Sequence, residues 1–184
     1  MIFGNRIILG PIEAFHLQQM VNWRNDPELR QHFREYRVLT YEHQKRWWEE
    51  KVLKDPSWEY FTIRLQEQPD MIIGACGLTY IHPVNRTGEF AIFMGNKEFR
   101  KEEFISDSIN TLVKYGFDFL NLNRIWGEVY SNNPLLSIYL KVGFKEEGVL
   151  RETYFNDGKY WNSHVISILN REYKERKINE ASAF

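Results

Sequence analysis

The segment at residues 104–120 has the spacing of a long amphipathic helix, and its place in the chain restricts the fold more than any other feature. Three segments before it, 58–65, 72–80 and 88–94, have strand character with short connections, which predicts an antiparallel meander. A further strand at 124–130 follows the helix, so the helix is expected to cross over and place that strand parallel to the sheet. The chain is therefore predicted to form an α/β mixed sheet. The inward face of the helix comprises Ile105, Ile109, Leu112, Val113, Gly116, Phe117 and Leu120.

The segments before the meander are expected to be a strand and short helices. Residues 6–10 have strand character, and Pro11 is expected to begin a helix. Pro27 can open a second short helix, and Thr40 is a suitable N-cap for a helix at 41–53. The first helix would bury Ile12, Phe15, Met20 and Trp23.

The segments after residue 130 predict a helix and a final hairpin. A helix at 134–142 is expected to stop at Gly143. Strands at 144–155 and 159–169 flank Asn156-Asp157-Gly158, a strong turn signal. About seven strands are expected in all.

Composition indicates an ordered protein without a strong electrostatic preference. The 184 residues suit one domain, expected at 1–172, with residues 173–184 as a fraying C-terminal tail. Apolar residues make up 43% and the net charge is -1, so disorder, nucleic-acid binding and membrane binding are all disfavoured. Five His residues lack metal-ligand spacing, and no metal site is predicted. No stretch resembles a membrane span or a signal peptide, which favours a cytoplasmic location.

Three polar residues are candidates for chemistry. Asn132 and Tyr139 lie seven residues apart, so they share one side of the chain as it leaves the sheet. The phenol of Tyr139 can donate a proton, and the amide of Asn132 can order a polar ligand. The alternatives are that Tyr139 is a ring packed on the sheet and that Asn132 caps the next helix. Glu89 is the best candidate base, on a strand where Gly88 permits a bend; its alternative is an ion pair with Arg86.

Several motifs together resemble the GNAT superfamily of N-acetyltransferases, and within it the RimJ/RimL-like family. The resemblance covers residues 6–173 and is most specific in the Tyr-x-Lys-x-Gly-Phe-x-x-Glu-Gly-x-x-Arg stretch at 139–151. The order and spacing of the motifs carry it, since each one alone is weak. The other motifs lie at 23–28, 88–92, 115–117 and 132–144.

The resemblance implies a mixed, mostly antiparallel sheet that splays between its fourth and fifth strands and holds acetyl-CoA there. Phe93, Met94 and Gly95 would pair with the pantetheine arm, and Asn132 would hydrogen-bond it. In such enzymes an amine attacks the thioester directly, with Glu89 as the base and Tyr139 as the acid. The pyrophosphate would lie at the next helix N-terminus, near Arg100, Lys101, Phe104, Ile105 and Ser106.

The phosphate loop departs from the family pattern. Glu103 and Ile105 occupy positions where the family has Gly, and Glu102 would repel a pyrophosphate if its side chain pointed at it. Arg100 and Lys101, together with Lys97, can offset that repulsion. Weakened or altered CoA binding is expected, and a non-catalytic GNAT-like binding module is the alternative.

The acceptor is expected to lie between the first helices and the final hairpin. Arginines recur from position 24 to 37, and they could face a phosphate, although interleaved acids favour a solvated helix face. The Trp-Arg-Asn-Asp-Pro-Glu opening resembles the branch that acetylates amino sugars on nucleotide carriers. A small-molecule amine such as an amino-sugar nucleotide is the expected acceptor; a protein N-terminus is the alternative, and a homodimer stays open. The candidate substrate residues are Trp23, Arg24, Asn25, Trp47 and Tyr154.

Overall fold

Eight strands form one mixed sheet in the computed structural model, which describes residues 1–181. Their order across the sheet is β1-β2-β3-β4-β5-β6-β8-β7, and every neighbouring pair is antiparallel except β5 and β6. The strands are β1 (Ile2–Phe3), β2 (Ile7–Pro11), β3 (Glu59–Leu65), β4 (Ile72–His82), β5 (Thr87–Met94), β6 (Arg124–Tyr130), β7 (Lys145–Asn156) and β8 (Lys159–Leu169).

Helices cover both faces of this sheet. On one face the larger apolar core includes residues of α4, α5 and α6, such as Ile109, Tyr139 and Tyr173. On the other face α1 packs with the end of β5, through a smaller cluster that includes Met20 and Phe93. The helices are α1 (Leu17–Asn25), α2 (Pro27–Arg30), α3 (Tyr41–Trp47), α4 (Glu102–Asp118), α5 (Leu136–Val142) and α6 (Asn170–Ala181).

The mixed sheet and most of the local signals agree with the sequence prediction. The side chain of Thr40 caps α3 by accepting the backbone N–H of His43, and Gly143 ends α5 with φ of 109°. Asp157 and Gly158 form the two-residue turn between β7 and β8 with φ of 50° and 71°. Positive φ at both positions matches the twist of the flanking strands, which explains why this turn was readable from sequence.

Three expectations about the ends of the chain were wrong. Pro11 ends β2, paired with Phe61, and does not begin a helix. The ring of Phe15 is therefore not inward but 77% exposed. The segment after Glu172 does not fray at once, because α6 continues to Ala181 and buries Tyr173 against Phe117; residues 182–184 of the expected tail lie outside the described residues. The short β1 was not predicted and brings the strand number to eight.

No helix within residues 1–181 is long and apolar enough to cross a membrane.

Asp107 fastens the first two strands to α4. Its buried carboxylate accepts the backbone N–H groups of Asn5, Arg6 and Ile7 at 2.9, 2.7 and 3.1 Å. An Asp107→Asn variant keeps the shape but removes the charge and turns one acceptor into a donor that faces donors. We expect this variant to lose about 2–3 kcal/mol of unfolding free energy. Urea denaturation measures this loss; an unchanged midpoint, or an equal loss in the exposed control Asp70→Asn, would contradict it.

Candidate functional site

The two central strands separate and open a cleft in the sheet. β5 pairs with β6 only at Thr87, Gly88 and Glu89, opposite Arg124, Ile125 and Trp126. Beyond Glu89, β5 continues to Met94 with β4 as its strand partner, so within the described residues its other edge is open. The cleft has a volume of about 610 Å³, within the range of small-molecule sites. The splay is where the family resemblance placed it.

The cleft reaches both faces of the sheet. Successive β5 residues from Glu89 to Phe93 line it, and alternate side chains of a strand point to opposite faces. Phe90 belongs to the core beneath α4 and α5, whereas Phe93 packs with α1 on the other side. The cleft is therefore lined by side chains from both faces of the sheet.

An arginine bridges two carboxylates at the point where the strands part. Glu89 is 5% exposed, and its Oε1 accepts Nη2 of Arg34 at 2.5 Å; the same nitrogen also donates to Oε2 of Glu128 at 3.2 Å. Burial alone lowers the pKa of Arg34, but the contacts with Glu89 and Glu128 outweigh it and raise that pKa above its ordinary value. The expected alternative partner, Arg86, bonds Asn121 instead.

Tyr139 lines the same cleft from the other face of the sheet. Its side chain is 3% exposed, and its ring meets Phe90 edge-on with centroids 5.1 Å apart. Burial raises the pKa of the phenol, so Tyr139 stays protonated across the neutral range. Its hydroxyl has no hydrogen-bond partner within the described residues. Tyr139 is thus a packed ring whose proton is not committed to another protein group.

Aromatic rings and one arginine form the wall of the cleft nearest α1 and α3. Trp47 meets the rings of Trp58 and Tyr60 edge-on at 6.5 and 5.1 Å. Arg24 lies over the ring of Phe33, with its guanidinium carbon 5.1 Å from the centroid. Burial lowers the pKa of Arg24, although Tyr60 and Glu35 act in the opposite direction. Of the predicted substrate residues, Arg24 and Trp47 line the cleft.

The other three predicted substrate residues lie behind the cleft and support it. The ring of Trp23 lies so close to Gly95 that a β-carbon there would come within 1.9 Å of it. Asn25 hydrogen-bonds both the N–H and the carbonyl of Leu39, at 2.8 and 2.7 Å. Tyr154 donates to the carbonyl of Gln31 at 2.8 Å. Asn25 and Tyr154 thereby fasten the two ends of the segment that carries Arg34.

The N-terminus of α4 replaces the glycine loop of the family pattern. Ile105, at one expected glycine position, points into the core, and Phe104 packs edge-on against Phe99. Glu102 turns away to bond Lys141 at 2.8 and 2.9 Å, which partly removes the repulsion expected from sequence. Ser106 is half-buried, and the first-turn N–H groups of Glu102 and Glu103 have no carbonyl one turn earlier in α4 to bond.

Arg100 already bonds other groups of the protein. Its guanidinium donates to the carbonyls of Met94 and Gly95 at 3.1 and 3.0 Å and to the carboxylates of Asp26 and Glu28 at 3.2 and 3.0 Å. Lys97 also bonds Glu28, at 2.8 Å. Arg100 and Lys97 are thus not both free to offset the acidic side chains of the phosphate loop, as the sequence had suggested. Lys101 alone of the three is exposed with no bonded partner among residues 1–181.

Asn133 stabilises the turn before α5, because its Oδ1 accepts the N–H of Leu135 at 3.0 Å; the N-cap of the helix is Leu135, and no side chain caps it within the described residues. Burial lowers the pKa of His32 and the nearby side chain of Asn132 acts in the opposite direction, but the Oδ1 of Asn132 and the Nδ1 of His32 are both buried without a hydrogen-bond partner in the described residues. The sequence analysis did not identify His32 or Glu128, and it considered Arg34 only among the arginines that could face a phosphate. A signal for Glu128 existed, since it stands two residues after the strand partner of Glu89 and so on the same face. No cluster of metal-binding side chains occurs in the described part of the chain.

Comparison with known proteins identifies the family. The model of the acetyltransferase (GNAT) domain matches residues 6–145, and the chain belongs to this family. An uncharacterized N-acetyltransferase, p20, of Bacillus licheniformis is 34% identical over 61% of this chain and 63% of its own length. A spermidine N(1)-acetyltransferase of Vibrio cholerae is also 34% identical, over 57% and 61%. The chain thus matches less than two thirds of these curated relatives' length.

A solved structure resembles the whole fold. The spermidine N-acetyltransferase from Vibrio cholerae, in complex with CoA and spermine, superposes with a TM-score of 0.84 at 26% identity. The match covers 91% of this chain and 98% of that one.

Proposed function

We propose that this protein transfers the acetyl group of acetyl-CoA directly to a primary amine of a small molecule. The observation that carries the proposal is the cleft through the sheet, with Glu89 and Tyr139 on opposite sides of the opening. The related structure in complex with CoA and spermine supports it. The Tyr-x-Lys-x-Gly-Phe stretch at 139–144 favours the RimJ/RimL-like branch, and acetyl-CoA, an intracellular metabolite, favours the cytoplasm.

The chain offers suitable groups for acetyl-CoA. The edge of β5 that β6 leaves unpaired presents main-chain groups between residues 90 and 94 that an extended pantetheine arm can bond; the carbonyl of Met94 already accepts a hydrogen bond from Arg100. The free N–H groups at the start of α4 and the positive end of its dipole suit a pyrophosphate. Lys101 adds an uncommitted positive charge beside them. Ile105 does not obstruct this site, because its side chain is in the core.

The reaction then needs one base and one acid. A neutral amine forms a C–N bond at the thioester carbonyl while the C–S bond breaks. The amine proton goes to Glu89, directly or through a water molecule, and Arg34 holds one oxygen of this carboxylate in place. The departing thiolate takes its proton from Tyr139, whose hydroxyl is free to donate.

Titration calorimetry with acetyl-CoA tests the proposal. We expect saturable binding that weakens about tenfold in Lys101→Glu, because the charge reversal adds repulsion at the phosphates. Lys174→Glu, an exposed site on α6, is the matched control and should bind like the native protein. No binding at millimolar acetyl-CoA would overturn the proposal and leave a non-catalytic module.

A further inference from the structure

The carboxylates that line the cleft are already paired with arginines. Arg34 holds both Glu89 and Glu128. Arg37 holds Glu35 with two hydrogen bonds, at 2.8 and 2.6 Å. A polyamine carries several ammonium groups and needs unpaired carboxylates to bind them. The cleft therefore lacks the negative surplus that a polyamine acceptor requires.

Among the arginines that line the cleft, Arg24 is the one to which no carboxylate of the described residues is bonded. Its Nε is shielded from solvent and makes no hydrogen bond within the described residues. The nearby carboxylate of Glu35 is bonded to Arg37, so Arg24 is left with the face of Phe33. An N–H group that is shielded from water and makes no hydrogen bond is unfavourable, and an oxyanion bound in the cleft would give this partly exposed guanidinium a bonded partner.

The structure holds Arg24 in place for such a ligand. Its neighbour Trp23 is packed in the core, and its other neighbour Asn25 is bonded twice to Leu39. The backbone of Arg24 is thus fixed on both sides, and its guanidinium faces the same cleft as Trp47 and Tyr60. The guanidinium itself lies over the ring of Phe33, and a side chain restrained in this way loses less freedom when it binds an anion, which favours affinity.

We propose that Arg24 anchors an anionic group of the acceptor, so that the acceptor is an amine bearing a phosphate or a carboxylate. The anion bonds the guanidinium of Arg24, the body of the acceptor lies along the ring wall at Trp47 and Tyr60, and the amine extends to Glu89. This inference rests on the proposed acetyl transfer and specifies its acceptor. An amino sugar carrying a nucleotide or phosphate fits these requirements, and spermidine does not.

Matched acceptors test the inference. The pairs glucosamine 6-phosphate against glucosamine, and tryptophan against tryptamine, differ in the anion, and spermidine serves as the cationic comparison. We expect the preferred anionic amine to exceed its partner in kcat/KM by at least about tenfold, and Arg24→Met to abolish that ratio. Arg24→Lys should keep part of it, because the charge remains. Arg171→Met removes the same charge from exposed α6 and should leave the ratio intact. A preference for spermidine, or a ratio that Arg24→Met leaves unchanged, would overturn the inference.

A binding measurement without turnover separates this inference from the proposed function. Uridine diphosphate is titrated into the native protein and into folded Arg24→Met, with the thermal midpoint of each recorded. We expect the dissociation constant to rise at least about tenfold in the variant. Equal affinities, or no binding to either protein, would overturn the anion site if the phosphate and carboxylate pairs also show no preference. Failure of acetyl-CoA to bind would instead overturn acetyl transfer, whatever uridine diphosphate does.

Discussion

Tyr139→Phe is expected to lower kcat for acetyl transfer by about a hundredfold or more, since a positioned acid contributes about 10²–10⁴. The substitution removes one oxygen and keeps the ring that packs on Phe90 and Phe144. Because the hydroxyl bonds no group in the described chain, its loss leaves no buried protein partner unsatisfied. The affinity for acetyl-CoA and the stability should therefore stay near those of the native protein.

Release of free CoA in single-turnover experiments measures this effect, and calorimetry confirms cofactor binding. Tyr115→Phe is the matched control: its hydroxyl bonds Glu59 at 3.4 Å, away from the cleft, and its loss should change kcat less than about twofold. Burial raises the pKa of Tyr139 above the ordinary value of about 10. Ionisation of this phenol should therefore not lower the rate at any pH below about 10. A variant within threefold of native kcat would exclude Tyr139 as the acid.

The second large effect is expected for Glu89→Gln, with a fall in kcat/KM of about 10²–10³. The amide keeps an oxygen for Arg34 to bond but cannot take the proton of the amine at neutral pH. The pairing with Arg34 also weakens, because the acceptor loses its charge. The effect on kcat/KM of losing the base must therefore be distinguished from the effect of a weaker pairing with Arg34.

Glu128→Gln makes that separation, because Glu128 bonds the same nitrogen of Arg34 but lies farther from it, at 3.2 Å. If Glu89 is the base, Glu128→Gln should lower kcat/KM by less than about tenfold, the effect of one weakened partly exposed ion pair. Similar losses in the two variants would show that the carboxylates serve only to hold Arg34.

The sequence predicted the elements whose signals are local. The strand character and short connections of β3 to β5, the long amphipathic α4 and the Asp157-Gly158 turn depend on neighbouring residues, and the structure has all of these elements. Pro11 misled the prediction because the same residue can open a helix or close an edge strand, and its pairing with Phe61 decides the matter. That pairing joins segments fifty residues apart, which periodicity does not reveal.

Residues of the candidate site could be predicted from sequence when they belong to a recognisable motif. Glu89 and Tyr139 were identified from position within family-like motifs, and both line the cleft. The bridge from Arg34 to Glu89 and Glu128 joins a loop and two strands, so no spacing in the sequence indicates it. Phosphate binding by Arg100 stays a prediction from its place in the loop, and the sequence did not indicate that Asp26 and Glu28, distant in sequence, bond it.

The separation of β5 from β6 gives the sheet an edge in its interior. Outer edge strands offer their main-chain groups to any chain that approaches, which is why exposed edges promote aggregation. The edge at residues 90–94 lies instead between two halves of one sheet, where another strand with its side chains would have to force those halves apart. A slender molecule with its own amides meets no such barrier. The width of the opening can therefore admit a slender ligand and exclude a protein strand before any side chain makes contact. Hydrogen bonding to the main chain, which by itself does not distinguish partners, is in this way restricted to one kind of ligand.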